Sequence, residues 1–305
     1  MKETNILRPN TNGNRHRARP TEEGHGVSVV IPSCNRGGYL REAVLSALAQ
    51  TVDIQEVIVV DDASDIDPSP LLSDLGEKVN VHRLPVRSGA NIARNLGIEL
   101  ARGRWIALLD DDDIWLPEKT QTQLRAMGFE SCTTTTADTQ AEACLCIAQD
   151  VGGPPDKPHN IADIAERLRT QNPCGTSGLI ARRELLLAEP FDAELRRAQD
   201  WDIFVRFAQL GGLVLVEQPL YLRRVGHDRI TTDAMRQTPE ELFTTAAAAT
   251  HKHREWLGES AYRRRLAIVL LSFISQRERK LRYILAAIRH SGVRATLRVL
   301  ASKLL

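Results

Sequence analysis

The chain has 305 residues, 42% of them hydrophobic, and a formal net charge of +1 at pH 7. Length and apolar content suffice for a substantial core, and the charge balance argues against a general nucleic-acid binder. The balance hides an asymmetry: residues 251–305 hold 13 Lys/Arg and 3 Asp/Glu, a surplus of +10, so the remainder (27 basic against 36 acidic) carries −9. Five cysteines without zinc-type spacing read as reduced thiols of a cytoplasmic protein. No N-terminal apolar segment reads as a secretory signal, and no apolar run is long enough to span a bilayer.

Residues 1–26 are polar, without apolar periodicity, and read as a flexible tail. Val27–Ile31 reads as a strand ended by Pro32, and Ser33-Cys34-Asn35-Arg36-Gly37-Gly38 as a turn-rich loop. Apolar residues at helical spacing predict a helix over Tyr39–Gln50. A strand Val57–Val60 then ends in Asp61-Asp62-Ala63-Ser64. A shorter strand Val79–Leu84 and a helix Ala90–Arg102 follow, and Trp105–Leu109 reads as a buried strand. This alternation predicts a parallel sheet covered by helices, with the polar strand ends lining one crevice.

Four aspartates, Asp110 to Asp113, follow that strand, and an apolar turn is expected to close at Pro117. Four adjacent carboxylates are costly unless a cation or hydrogen bonds compensate, and Mg2+ or Mn2+ suits such oxygens. A solvated acidic loop is the bland alternative, but ligands sit at strand carboxyl ends in open α/β sheets. Neither a GxGxxG nor a GxxxxGK[ST] motif is present, so a dinucleotide fold or P-loop is unsupported.

In order, Val29–Arg36, Val59–Ser64, Ala93-Arg94-Asn95-Leu96-Gly97 and Leu109–Asp113 resemble the nucleotide-binding half of family 2 glycosyltransferases of the GT-A fold. The resemblance covers residues 27–230. It implies an inverting transfer from a nucleoside diphosphate sugar, a UDP-sugar by expectation, with a divalent cation as cofactor. It also implies that Pro32, Ser33, Asn35, Arg36, Asp61, Asp62, Arg94, Asp110 and Asp111 surround the donor. Asp112 and Asp110 match the metal-binding DxD motif. Bland readings remain: Arg94 as a helix-surface ion pair and Asp61 as a turn cap.

Further on, Pro117–Met127 reads as a helix, and Ser131–Ile147 as strands near the sugar. Gly152–Asn160 reads as a loop or flap, and Ile161–Leu168 as a helix. Gly175, Thr176 and Ser177 resemble a family segment on the acceptor side, where Trp201 is also expected. Gln199-Asp200 stands where the family has Glu-Asp, which implies Asp200 as catalytic base. Asp202 reads as a helix-start or structural ion-pair residue. His227 is either a further metal ligand or a loop histidine. From Pro239 on, helices are predicted over Glu240–Trp256, Ala261–Ile274, Leu281–Ile288 and Val293–Leu304. The stripe Leu266, Val269, Leu270, Phe273 and Ile274 reads either as packing of a helical cap or as an interfacial membrane anchor.

These readings predict a single α/β domain with a mostly parallel sheet flanked by helices. It spans residues 27–235, a nucleotide half (27–115) and an acceptor half (116–235), with a helical extension over 236–305. The expected activity is sugar transfer to a hydroxyl of a glycan or lipid-linked acceptor. The expected location is cytoplasmic or peripheral at the inner membrane face, with residues 251–305 as the candidate membrane contact. A sugar nucleotidyltransferase and a non-catalytic nucleotide-sugar-binding protein are the competing classes. The first usually has a Gly-rich phosphate loop, which Ser33–Gly38 matches poorly.

Overall fold

The two β-branched runs are buried on both faces, as parallel strands under helices must be. In the computed structural model, which describes residues 24–129, 141–153, 163–224 and 235–304, they form the centre of β1 (Gly24–Ser33) and β2 (Ile54–Asp61). Val27, Val29, Val30, Ile31 and Val57 to Val60 lie in the main core. Helix α1 (Gly38–Leu48) connects β1 to β2. The short α2 (Ser69–Leu72) precedes β3 (Val79–Arg83), and α3 (Ala90–Leu100) leads into β4 (Gly103–Leu108). The strands β3-β2-β1-β4 are all parallel. At their carboxyl edge Ser33, Asp61 and Arg83 stand side by side in register. A Cβ at Gly97 would lie 2.4 Å from Val30 Cγ1, so glycine here lets α3 settle directly onto β1.

Beyond β4 the alternation stops and the sheet becomes mixed. The remaining strands are β5 (Asp113–Trp115), β6 (Ala143–Asp150), β7 (Ile180–Arg182) and β8 (Leu213–Arg223). The eight strands run in the order β3-β2-β1-β4-β7-β6-β8-β5. Strand β7 pairs antiparallel with both β4 and β6, while β6 and β8 are parallel. The expected apolar turn after the aspartates is instead β5, whose Asp113, Ile114 and Trp115 pair antiparallel with Arg223, Leu222 and Tyr221. Three residues are too few to display a period of two, so this strand is invisible locally. Helices α4 (Lys119–Ala126), α5 (Ile164–Thr170), α6 (Arg183–Ala188) and α7 (Gln199–Leu210) complete this half.

The predicted helix over Glu240–Trp256 is broken into pieces. Thr238 and Glu241 form a capping box at α8 (Pro239–Glu241), a π-helical turn spans Leu242–Ala246, and α9 is Ala248–Lys252. Helix α10 (Arg254–Leu270) bends at Gly258, whose φ is 70°. Then come α11 (Lys280–Ser291) and α12 (Val293–Leu304). Ala247, Ala249, Leu257, Tyr262 and Leu266 join the main core, so the expected boundary near residue 236 does not separate two cores. Leu242, Leu270, Leu271, Ile274, Ala287 and Val299 form a second cluster among the C-terminal helices. The stripe considered as an anchor is therefore consumed by packing: Leu266, Leu270 and Ile274 are buried. No helix among the described residues is long and apolar enough to cross a membrane.

Candidate active site

The carboxyl ends of β1, β2 and β4 bring three groups of predicted residues together. Asp61, at the end of β2, is fully buried. It accepts a short hydrogen bond from Ser64 Oγ and one from Ser64 N at 3.1 Å, with Arg83 Nε 3.3 Å away. Asp62 accepts from the backbone N–H groups of Ser88 (2.6 Å) and Gly89 (2.8 Å) at the start of α3. The Asx-turn expected of Asp61 thus exists, and Arg83 adds a charge to it. Asn35 is held to the same loop: its N–H donates to Ser64 Oγ (2.8 Å) and its amide Nδ2 to Asp65 (3.0 Å). Pro32 and Ser33 are buried under this edge.

Each aspartate of the acid run has a different partner. Asp110 accepts from Arg94 Nη2 (2.7 Å) and from Thr176 Oγ1 (2.8–2.9 Å). Arg94 itself is buried, bonded also to Asn91 and lying over the Phe191 ring. Asp111 accepts from Cys34 N (3.2 Å) and sits 3.6 Å from Arg36 Nε. Asp113 accepts from Ser177 Oγ (2.7 Å), and the same hydroxyl accepts the N–H of Asp110 (3.0 Å). Asp112 is buried among them. Burial pushes the Asp111 carboxyl up to about 7, with the charges of Asp112 and Asp110 adding to it and Ser33 and Arg36 opposing.

The segment Gly175–Ser177, expected on the acceptor side, clamps the acid run, with the side chains of Thr176 and Ser177 buried against Asp110 and Asp113. Ser177 binds two points of the same turn and fixes its path from β4 into β5. Trp201 differs from expectation too. It has no exposed surface: its Nε1 donates to the carbonyl of Leu168 (2.8 Å) and Arg265 lies 3.6 Å over its ring. A large ring at the third position of an amphipathic helix takes the core side.

Asp200 stands in the first turn of α7, behind Ala198, whose φ is 54°. It is half-buried and accepts from Asn172 Nδ2 (2.8 Å) and from the Trp201 N–H (2.7 Å). Burial raises its carboxyl above the ordinary carboxylate range, against the Trp201 N–H, Asn172 and Arg94, while Asp110 adds to the rise. A helix N-terminus favours the ionised form, but desolvation outweighs that here. Asp200 thus lies within electrostatic reach of Arg94 and Asp110. Of the four described non-glycine residues with positive φ, Asn35 and Ala63 stand in the loops after β1 and β2, and Ala198 stands directly before α7. Backbone held in that region is costly and concentrates at functional sites.

Asp202, two residues on, points elsewhere. Its carboxylate lies 2.7 Å from His253 Nε2, 3.2 Å from Arg206 Nε and 3.1 Å from Lys252 Nζ. Burial pushes it up, but these partners prevail and hold it below the ordinary range. It ties α7 to α9 and α10. Asp202→Asn should cost about 2 kcal/mol in urea unfolding at neutral pH, below the usual range for a broken buried pair because Lys252 is partly solvated. Unchanged stability would mean that the cluster does not join the helices.

Among the described residues no group of three or more His, Cys, Asp or Glu forms a metal cage. His227 lies outside the described residues. The donor set nevertheless suits a hard cation completed by substrate oxygens: crowded carboxylates at Asp110 to Asp112, one of them pushed toward protonation by burial and, further, by its neighbours' charges. Sequence reasoning missed Asn172, Ser88 and Arg265, whose partners lie far along the chain. Arg83 carried a signal, as a cation at the end of a predicted strand.

Residues 28–140 match the model of glycosyl transferase family 2. Over that segment the chain is similar to this family. The match covers the half that holds Asp61, Arg94 and the acid run. TuaG of Bacillus subtilis (strain 168), named for teichuronic acid biosynthesis, is 39% identical over 109 residues, 35% of this chain and 43% of TuaG. The chain thus matches less than half the length of that relative. A structure of S. aureus TarS 1-349 in complex with UDP-GlcNAc shares the fold, with a TM-score of 0.62 at 21% identity over 88% of this chain and 82% of TarS. The mannosyltransferase PcManGT from Pyrobaculum calidifontis, in complex with GDP-Man and Mn2+, gives 0.58 at 17% identity over 93% of this chain and 81% of its own. The fold of these two proteins is thus shared over most of this chain.

Proposed function

We propose that this protein acts as a family 2 glycosyltransferase and transfers a sugar, with inversion, from a nucleoside diphosphate sugar to a hydroxyl of a glycan or lipid-linked acceptor. The observation that carries the reading is the gathering of Asp61 and the Asp110–Asp112 run at the carboxyl ends of β2 and β4, either side of β1, with Asp200 within electrostatic reach of Asp110 and Arg94. Asp61 and Asp62, fixed by Ser64, Ser88 and Gly89, face the base and ribose; a UDP-sugar is the donor of choice. Arg36 and the first turn of α1 are the elements that orient the diphosphate. The UDP-GlcNAc of the TarS complex and the GDP-Man of the PcManGT complex belong to this chemical class.

Asp112 and Asp110 would hold a divalent cation, which when bound neutralises charge on the departing diphosphate. Arg94 and Thr176 fix Asp110, and Ser177 fixes the turn, so these carboxylates are preorganised. Asp200 accepts the proton of the acceptor hydroxyl at its Oδ, while Asn172 holds the other end of the carboxylate. Its raised affinity for a proton suits that task, since the base is strongest when its pKa approaches the working pH.

The test is a panel of nucleotide sugars, with release of nucleoside diphosphate measured with and without glycan acceptors. Release that depends on acceptor and cation supports transfer; pyrophosphate chemistry alone would indicate a nucleotidyltransferase, and binding without turnover a non-catalytic protein. Asp112→Asn should weaken Mn2+-dependent donor binding by about 30-fold, the equivalent of about 2 kcal/mol for one charged contact. Undiminished binding and full activity in EDTA would remove the cation from the reading.

A further inference from the structure

The C-terminal helices bury the stripe that packing needs and leave another uncovered. On α11, Leu281 and Leu285 stand four residues apart and are 68% and 56% exposed. On α12, Val293 and Leu297 repeat the spacing and are 56% and 57% exposed. Residues four apart lie on one helix face, so each helix shows an apolar row to the outside. Arg289 continues the row of α11, and Arg294 and Arg298 flank the row of α12; all three are exposed.

The charge around these rows has one sign. Residues 279–305 contain seven Lys/Arg and no Asp or Glu. Arg282 is engaged by Glu240, and Lys303 donates to the carbonyl of Leu271. The rest of the chain is net negative, so the surplus is concentrated where the leucines are exposed.

We infer that the outer face of α11 and α12 docks on an anionic lipid bilayer. Leucine and valine at the tips of an amphipathic helix enter the headgroup–acyl boundary, while interleaved arginines meet lipid phosphates. A second copy of the same face is a poor partner, because a twofold contact would set seven cations against seven. Nucleic acid is a poor partner as well, since the centre of each row is aliphatic and neither row carries an aromatic for stacking. The helices lie in the interface and do not cross it, in keeping with the absence of a spanning helix among the described residues. This inference concerns where the protein sits and does not depend on the catalytic reading.

The experiment is co-sedimentation of the full chain with vesicles of phosphatidylcholine alone and with about one-third phosphatidylglycerol. Anionic vesicles should bind at least about 20-fold better at low salt, and added salt should remove most of the difference. Arg294→Glu/Arg298→Glu should lower binding more than 20-fold, at about fivefold for each cation near the surface. Leu285→Glu/Leu297→Glu should lower it similarly, and thermal unfolding of both variants should match the parent because all four side chains are exposed. Binding unchanged in both folded variants would overturn the inference. So would an oligomer that the Leu285→Glu/Leu297→Glu change dissociates, in a protein that ignores vesicles, since the face would then belong to a second copy.

Discussion

Asp200→Asn should lower sugar transfer by roughly 10²–10⁴-fold, the usual contribution of a positioned general base. Donor and cation should still bind with near-normal affinity. The substitution keeps the shape and the acceptor atom for one hydrogen bond. It removes the carboxylate, one oxygen of which is partnered by Asn172 and the other by the Trp201 N–H. The direction of the pH profile follows from the raised carboxyl. Below its pKa Asp200 is protonated and cannot take the proton of the hydroxyl, so the rate should rise with pH through that value. Asn172→Ala should move this limb of the profile upward, because a hydrogen bond that favours the charged form is lost. Asp202 offers the internal control. Its carboxylate is bound to His253, Arg206 and Lys252, so Asp202→Asn should affect stability before chemistry. If folded Asp202→Asn protein loses turnover while Asp200→Asn protein keeps it, the base has been assigned to the wrong carboxylate.

Asp111→Asn should make the cation-free protein more stable at pH 8, by up to about 4 kcal/mol. The folded state raises the Asp111 carboxyl from an ordinary 3.8 to about 7, and each unit is worth about 1.4 kcal/mol. The sign follows from the raised value. The group's stabilising contribution is complete below pH 4, where both states are protonated, and is lost as pH climbs through about 7. The cation-free parent should therefore weaken between pH 4 and 8. The asparagine variant should weaken less over that window, since it carries no charge to desolvate. Asn can still accept from Cys34 N, so the loop contact survives. Urea unfolding at pH 4.5 and pH 8 in EDTA measures both slopes; parallel slopes would show that burial of this charge costs nothing. A hard cation should restore stability to the parent at pH 8 and do less for the variant.

The nucleotide half of the site was legible in the chain because its signals are local. A β-branched run buried on both faces, followed at once by its polar strand-end residues, carries both the strand and its site group within about ten residues. Asp61, Asp62 and the Asp110–Asp112 run were therefore readable before any packing was known. The same holds for Arg94, set one helical turn before a glycine that lies against the sheet. The acceptor half is different. Thr176 and Ser177 look like acceptor contacts in isolation. They become clamps only because β7 is inserted beside β4 and brings Ser177 onto Asp113, 64 residues away.

By itself, then, the chain determined the parallel half of the sheet, the ring of carboxylates at its carboxyl edge and a strongly cationic C-terminal end. Each follows from period, run length or charge count, which neighbouring residues already contain. Only the tertiary structure decided what the other groups do. Trp201 is core because Leu168 accepts its indole proton and Arg265 covers its ring, and Asp200 is set by Asn172, 28 residues distant. Asp202 is structural because His253 reaches it across 51 residues. The stripe at Leu266, Leu270 and Ile274 went to the core, and the rows on α11 and α12 stayed outside. An amphipathic helix specifies that one face wants cover; which cover it finds depends on the order in which distant elements stack, and helical period carries no record of that.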